Sequence, residues 1–484
     1  MNDAMGTFRK QVIRGVGWLA TANLGETLLQ IGFTAILARL LEIADFGLAA
    51  LCLVFIRFMR ALTDVGFAYA VIQSRDVTDR QVSAIFCLQA LIRFGVCLLC
   101  IAAAPLAARF FDQPQLTGLI RVLAWVIVLD SFAFPQTLLQ KGLQFKGYSL
   151  LLVTSMIAGN LLGVAMAFTG YGVWSLIFRL LAQKLFYSTG IWFVARWVPK
   201  KPDFKGVRQL VQFGFTMFGS RLFNFFSQNL ASIIIGKFIG VETLGLFNVA
   251  YSLAVVPAER IKTVLAAVLT PAFATLQQGL PQLRRYLYAS LFSLGTVFIP
   301  LMLGMAAVST NLVVILYGEK WREAGLFLTF LAVVGLMKGM EHLLRSVLVA
   351  TGRAGRILRI AMAETAASVP LLFLGAYYYE VMGLVIAYLA ASSISIVLTV
   401  NAVQRVVGDN AVFLRAIAKS LLVAGLMFAA VAAWPAMISF EPALALISQI
   451  ALGATLYILI RIRLLDDEER DIVQQWPLVG RVIG

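Results

Sequence analysis

Charge is what this chain has least of. Charged residues make up 13% of its 484 positions, against 61% hydrophobic. A soluble domain carries about 25% charged residues, and a chain this apolar could not clothe its own core in polar surface. A water-soluble fold is therefore excluded, and the bilayer is the solvent that fits. Histidine occurs once, as His342, and cysteine four times, as Cys52, Cys87, Cys97 and Cys100, all inside apolar runs. No Cys/His spacing suits a metal ion or a disulfide framework, so neither is expected. No nucleophile–base pair stands out, which argues against an enzyme. The glycine-rich phosphate loop of nucleotide hydrolases is missing, so no cofactor is expected and any transport must be ion-driven or downhill.

What the chain does have is long apolar stretches. A span needs about 20 such residues. Fourteen candidates emerge: 11–38, 45–71, 80–108, 116–140, 147–169, 172–195, 208–236, 245–269, 286–310, 324–350, 356–377, 382–405, 412–434 and 443–462. The fold class predicted is an all-α polytopic membrane protein. The first apolar run follows basic residues but lacks a small-residue cleavage site, which reads as a retained helix. The net charge of +16 would suggest nucleic acid in a soluble protein. Here it is topological, and no nucleic acid partner is expected. With the N-terminus inside, the cytoplasmic segments hold 24 Lys and Arg, and the opposite side only Arg39, Arg109, Lys237, Lys320 and Arg322. That bias predicts both termini in the cytoplasm.

A weak repeat organises the spans. ARLLEIADFGL (38–48) aligns with GKFIGVETLGL (236–246), an offset of 198 residues or six spans. Six is even, so the repeats run parallel about an axis along the membrane normal. The expected domains are a lobe at 1–197 (helices 1–6), a basic linker at 198–207, a second lobe at 208–406 (helices 7–12), two further helices at 407–463, and a cytoplasmic tail at 464–484. Two lobes suit alternating access, with a site between them near mid-membrane.

Ionisable residues at mid-membrane are costly, which makes each a functional candidate. Arg57, Arg60 and Asp64 share one face of helix 2. Helix 7 carries Arg221 with Asn224 and Gln228, helix 8 Glu259, Arg260 and Lys262, and helix 10 Lys338, Glu341, His342 and Arg345. Helix 1 has Glu26, helix 3 Arg93, helix 4 Asp130 and helix 6 Lys184. The cations outnumber the acids on helices 1, 2, 7, 8 and 10. That predicts a positively charged passage for an anionic cargo, with Arg57, Arg60, Arg221, Arg260, Lys262, Lys338, Arg345, Asn224 and Gln228 as its contacts. Guanidinium groups bind phosphate oxygens as a planar fork. The competing reading is internal pairing, since Arg60/Asp64 and Glu341/Arg345 stand at i, i+4. Glu26, Asp64, Glu259 and Glu341 are candidates for H⁺ or Na⁺ coupling.

The runs DFGLAALCLVFIRFMRALTDVGFAYAVIQ (45–73), QFGFTMFGSRLFNFFSQNLASIIIGKFIGVETLGLFNVAYSLAVVPAERI (212–261) and LYGEKWREAG (316–325) resemble the polysaccharide flippases of the multidrug/oligosaccharidyl-lipid/polysaccharide exporter superfamily. The likeness is nearest to their fourteen-helix exopolysaccharide and lipopolysaccharide subgroup. It implies a V-shaped, two-lobed bundle and a rocker-switch cycle. It implies undecaprenyl-diphosphate-linked oligosaccharide as cargo, membrane lipids around it, and a polysaccharide polymerase and export machinery as partners. The alternative is a cation-coupled multidrug or metabolite exporter on the same fold, which would want an acidic or aromatic passage. A membrane-bound polymerase would need a large external loop, and every external loop here is short.

Overall fold

The structure is a computed structural model and describes residues 25–63, 71, 78–142, 144–204, 225–226, 228–275, 279–409, 411–437 and 441–474. Among these every regular element is a helix. Inside hydrocarbon each backbone N–H and C=O must be satisfied within the segment, and the helix does this without a partner. Eight described helices are long and apolar enough to cross a membrane, and a bent pair makes a ninth. The protein is a multi-pass membrane protein. By contacts the chain divides into two compact units, 1–248 and 249–484.

The first unit opens with α1 (25–40) and α2 (Ile43–Thr63). A capping box starts α3 (Asp79–Phe110): the Gln81 N–H donates to Thr78 Oγ1 at 3.3 Å, and the Thr78 N–H to Gln81 Oε1 at 3.1 Å. The described part of the basic linker is fastened there. Lys200 Nζ pairs with Asp79 at 2.5 Å, and the Asp203 N–H donates to the Arg80 carbonyl at 3.1 Å. The fourth expected span is broken into α4 (Leu116–Leu123), α5 (Trp125–Phe132) and α6 (Pro135–Lys141), with a bend of 41° before α6. Pro135 at the start of α6 can donate no backbone bond to the preceding turn.

Helices α7 (Phe145–Phe168) and α8 (Val173–Ala195) form an antiparallel pair. Their approach is set by a GxxxG pattern, Gly159–Gly163. A Cβ on Gly159 would overlap the Arg179 carbonyl, and one on Gly163 the Arg179 side chain. The unit ends with α9, described at 228–234 with a π turn over Ile235–Ile239, and the first turns of α10 (Val241–Thr275).

The aligned repeat segments meet inside this unit. A Cβ on Gly47 would overlap the Val241 carbonyl oxygen, and one on Gly245 the Ile43 carbonyl oxygen. Gly47 corresponds to Gly245, and Ile43 to Val241, by the 198-residue offset, so one contact is made twice with the partners exchanged. Only glycine at both positions lets the backbones approach so closely.

In the second unit, α10 is followed by α11 (Leu280–Ala307), the short α12 (Ser309–Tyr317) and α13 (Ala324–Ala350). Tyr317 and Trp321 are fully buried in the turn before α13. Then comes α14 (Ala354–Val407), which is continuous in hydrogen bonding but broken at Tyr379 and Glu380, where Glu380 has φ 47°. Its 54 residues would exceed twice the roughly 30 Å hydrocarbon thickness if straight. The break folds it into two antiparallel arms, matching the expected spans 356–377 and 382–405. Gly375 and Gly383 cross where any Cβ would strike the opposite backbone. Helices α15 (Val412–Met437) and α16 (Pro442–Arg463) complete the spans. Within the expected tail, α17 (Asp467–Gln474) docks through buried Glu469, which accepts from both Arg461 Nη atoms at 3.2 Å.

Candidate functional site

Two polar clusters lie inside the apolar units. In the first, Asp130 on α5 is the hub. Arg60 Nη2 of α2 stands 2.5 Å from Asp130 Oδ2, and Lys184 Nζ of α8 stands 3.0 Å from Oδ1. One carboxylate thus faces two cations. Further guanidinium groups are steered by neutral amides. Arg179 Nη1 donates to Asn160 Oδ1 at 3.0 Å, in the seam that Gly159 and Gly163 open. Arg93 donates to the Gln89 amide oxygen, when that faces it, at 2.9 and 3.0 Å. Arg57 Nη1 donates to Asn229 Oδ1 at 3.3 Å, and Asn229 is itself held by the Phe225 carbonyl at 2.9 Å. Amides orient a guanidinium without cancelling its charge.

Of these groups, Arg60, Asn160, Arg179 and Lys184 line a cavity of about 240 Å³, with Glu26, Gln30 and Gln183, over an apolar floor of Leu53, Ile56 and Met156. The Arg179 Nε is buried and donates to no described group. A small site with several fixed N–H donors and more cation than acid is built to receive an oxyanion.

The second cluster lies between α13 and the two arms of α14. Arg345 Nη2 is 2.6 Å from Glu341 Oε1 and 3.6 Å from Glu364 Oε2, and Lys338 Nζ is 3.5 Å from Glu364 Oε1. Ser395 Oγ stands 2.7 Å from Glu341 Oε1 and 2.8 Å from Glu364 Oε2, and Thr399 Oγ1 is 3.1 Å from Glu341 Oε1. Ser395 has one hydroxyl proton and so donates fully to only one carboxylate at a time. A proton on the other carboxyl would complete an unbroken chain through the serine. Glu259 and Tyr251 on α10 and Tyr388 on α14 are the electrostatic neighbours of this cluster.

The family described as polysaccharide biosynthesis protein matches residues 36–326. The chain belongs to this polysaccharide biosynthesis family. Among its relatives are the lipopolysaccharide biosynthesis protein WzxC of Escherichia coli strain K12, 26% identical with 81% of each chain covered. The teichuronic acid biosynthesis protein TuaB of Bacillus subtilis strain 168 is 29% identical, covering 72% of this chain and 73% of that one. A solved structure of the lipid II flippase MurJ in an inward closed conformation matches with a TM-score of 0.71. It is 13% identical and covers 91% of this chain and 97% of that one. At that identity the likeness speaks for the fold, and the fold is that of this all-helical membrane class.

Within this family member, the residues singled out from the sequence fall into separate groups. Arg57, Arg60 and Glu26 belong to the first-unit cluster, and Glu26 and Arg60 line its cavity. Lys338, Glu341, Arg345 and Glu259 belong to the second. Gln228 lies on α9 one residue before Asn229. Arg221, Asn224 and Asp64 lie outside the described residues, as do the side chains of Arg260 and Lys262. Arg60 pairs with Asp130 on another span, and the i, i+4 pairing of Glu341 with Arg345 is present. Two charged members, Arg179 and Glu364, are not among the sequence candidates. Arg179 sits only seven positions into its expected span, where a long side chain can reach the interface. Glu364 lies well inside α14, and a scan for every mid-span acid would have found it.

Proposed function

We propose that this chain flips undecaprenyl-diphosphate-linked oligosaccharide repeat units from the cytoplasmic to the periplasmic leaflet, for exopolysaccharide, capsule or lipopolysaccharide assembly. The observation that carries the reading is the first-unit cavity. Its three cations, Arg60, Arg179 and Lys184, outnumber the carboxylates of Asp130 and Glu26, which leaves positive charge for a diphosphate. Carrying such a headgroup unpaired through hydrocarbon would cost tens of kcal/mol in the Born limit. A site that supplies preset donors removes most of that cost. The names of the relatives, which concern lipopolysaccharide and teichuronic acid biosynthesis, support a glycan cargo.

In this reading Arg57 and Arg60 contact cargo, with Arg179 and Lys184 added to them. Arg221, Arg260, Lys262, Asn224 and Gln228 are further proposed contacts for the cargo. Lys338 and Arg345 serve as counter-ions to Glu341 and Glu364. That carboxylate pair, bridged by Ser395, carries the coupling proton, and its protonation state biases which leaflet the passage faces. The exchanged Gly47/Val241 and Gly245/Ile43 contact supports two parallel repeats that pivot about each other. The inner membrane with both termini cytoplasmic, and a polymerase that takes the flipped unit, complete the proposal.

Depleting the chain in its own cell is the direct test. Mass spectrometry of the lipid fraction should show polyprenyl-diphosphate oligosaccharides accumulating while surface glycan falls. Unchanged lipid-linked intermediates with sensitivity to cationic dyes would instead favour a drug exporter.

A further inference from the structure

The two arms of α14 enclose a second basic pocket, in the second unit, which the transport reading does not use. Arg356 and Arg359 on the first arm, and Asn401 and Arg405 on the second, converge on a cavity of about 360 Å³ whose remaining walls are apolar, among them Ile360 and Leu398. The spacing explains the convergence. Residues 356, 359, 360 and 363 recur at helical intervals on one arm, and 398, 401, 402 and 405 on the other. Arg356 Nη1 donates to the Ala402 carbonyl at 3.3 Å, which ties the two arms together at this level.

Among the described residues no carboxylate pairs with Arg356, Arg359 or Arg405. The acid nearest in sequence on the first arm, Glu364, is already engaged by Lys338 and Arg345. Three guanidinium groups without an acid repel one another, and an anion in the cavity relieves that repulsion. Arg356 lies two residues from the start of α14 and Arg405 two from its end. The pocket therefore sits where the apolar arms give way to the headgroup layer, the level at which lipid phosphates lie.

Beside it is a cavity of different character. About 440 Å³ is bounded by apolar side chains such as Leu336, Met340, Val400, Phe413 and Ile417, and Asn401 lines both cavities. A charged pocket and an apolar slot on neighbouring faces of one helix match the two ends of an amphiphile. We propose that this pair of cavities is a binding site for a lipid phosphate: the phosphate forks onto Arg356, Arg359 and Arg405, and the hydrocarbon chain enters the slot beyond Asn401. Basic pockets between membrane helices suit such headgroups, and the planar fork suits phosphate oxygens. An anionic phospholipid and a polyprenyl diphosphate present the same chemistry here.

Native mass spectrometry of the purified full chain tests this with three probes: phosphatidylglycerol, a sugar-free polyprenyl diphosphate and neutral diacylglycerol. The wild type should retain one of the two phosphate lipids in preference to the neutral one. The Arg356→Gln, Arg359→Gln, Arg405→Gln triple variant should lose that retention by about tenfold or more, as expected for charged hydrogen bonds. Leu398→Trp, which fills the pocket and keeps every charge, should lose it as well. Preference for phosphatidylglycerol would make this a structural phospholipid site, and preference for the polyprenyl diphosphate a loading site for cargo. Equal retention of diacylglycerol, or full retention in a correctly folded triple variant, would overturn the proposal. The assay involves no transport, so its failure leaves the flippase reading standing.

Discussion

In the first unit Arg93 and Arg179 are steered by the amides of Gln89 and Asn160, whereas in the second Lys338 and Arg345 face the carboxylates of Glu341 and Glu364. Both units bury ionisable groups in a helical bundle, yet only the second matches cations with an equal supply of acid. Among the ion-paired cations, exposure follows the same division. Arg60 and Lys184 side chains are 41% and 33% exposed, against 18% and 25% for Lys338 and Arg345. A charge kept wet can wait for a ligand. A charge kept dry needs its partner in place. In the proposed reading the first cluster takes the cargo and the second the switching.

Removing the acids is the hardest test of that contrast. Glu341→Ala leaves Arg345 only its longer 3.6 Å contact to Glu364, which Lys338 shares, and should lower folding stability by up to about 3–5 kcal/mol, the range for breaking a buried pair. Asp130→Ala strands two better hydrated cations and should cost less, about 1–3 kcal/mol once water screens them. Thermal unfolding of both variants in detergent ranks the two. Equal losses would erase the distinction between a dry and a wet cluster.

The smallest effect is expected outside the membrane. The Ala411 N–H, and after it Arg415, hold the Asp409 carboxyl below its ordinary value of 3.8. A depressed carboxyl stabilises the fold fully above that ordinary value and loses its contribution as the pH falls through the folded one. Hydrogen exchange at the start of α15 should therefore quicken only in that acid window, and Asp409→Asn should remove the pH dependence. A comparable acid response throughout the bundle would show that the dry cluster is not dry.

Much of the fold is written in the apolar runs. The span at 324–350 coincides with α13, and the pairs 356–377 with 382–405 and 412–434 with 443–462 return as the arms of α14 and as α15 and α16. What periodicity missed is local geometry. Pro135 breaks the fourth span, Ser309–Tyr317 forms a separate short helix, and α17 folds back because Arg461 requires Glu469. The surplus of cations was readable, since composition and mid-span position suffice for it. Its partition between clusters was not. Whether Arg60 meets Asp130 or another acid depends on how whole helices are rotated against each other. The spacing that revealed the i, i+4 pair of Glu341 and Arg345 says nothing about Glu364, which reaches them from another helix.

The most direct measurement is the rate at which purified protein in liposomes moves a lipid-linked oligosaccharide between leaflets, for Arg57→Gln, Arg60→Gln and Arg179→Gln, each checked for unchanged unfolding temperature. Losing a charged hydrogen bond to the diphosphate should slow transfer by about ten- to a hundredfold in each. Wild-type rates in all three variants would contradict the assignment of the first-unit cluster to the cargo.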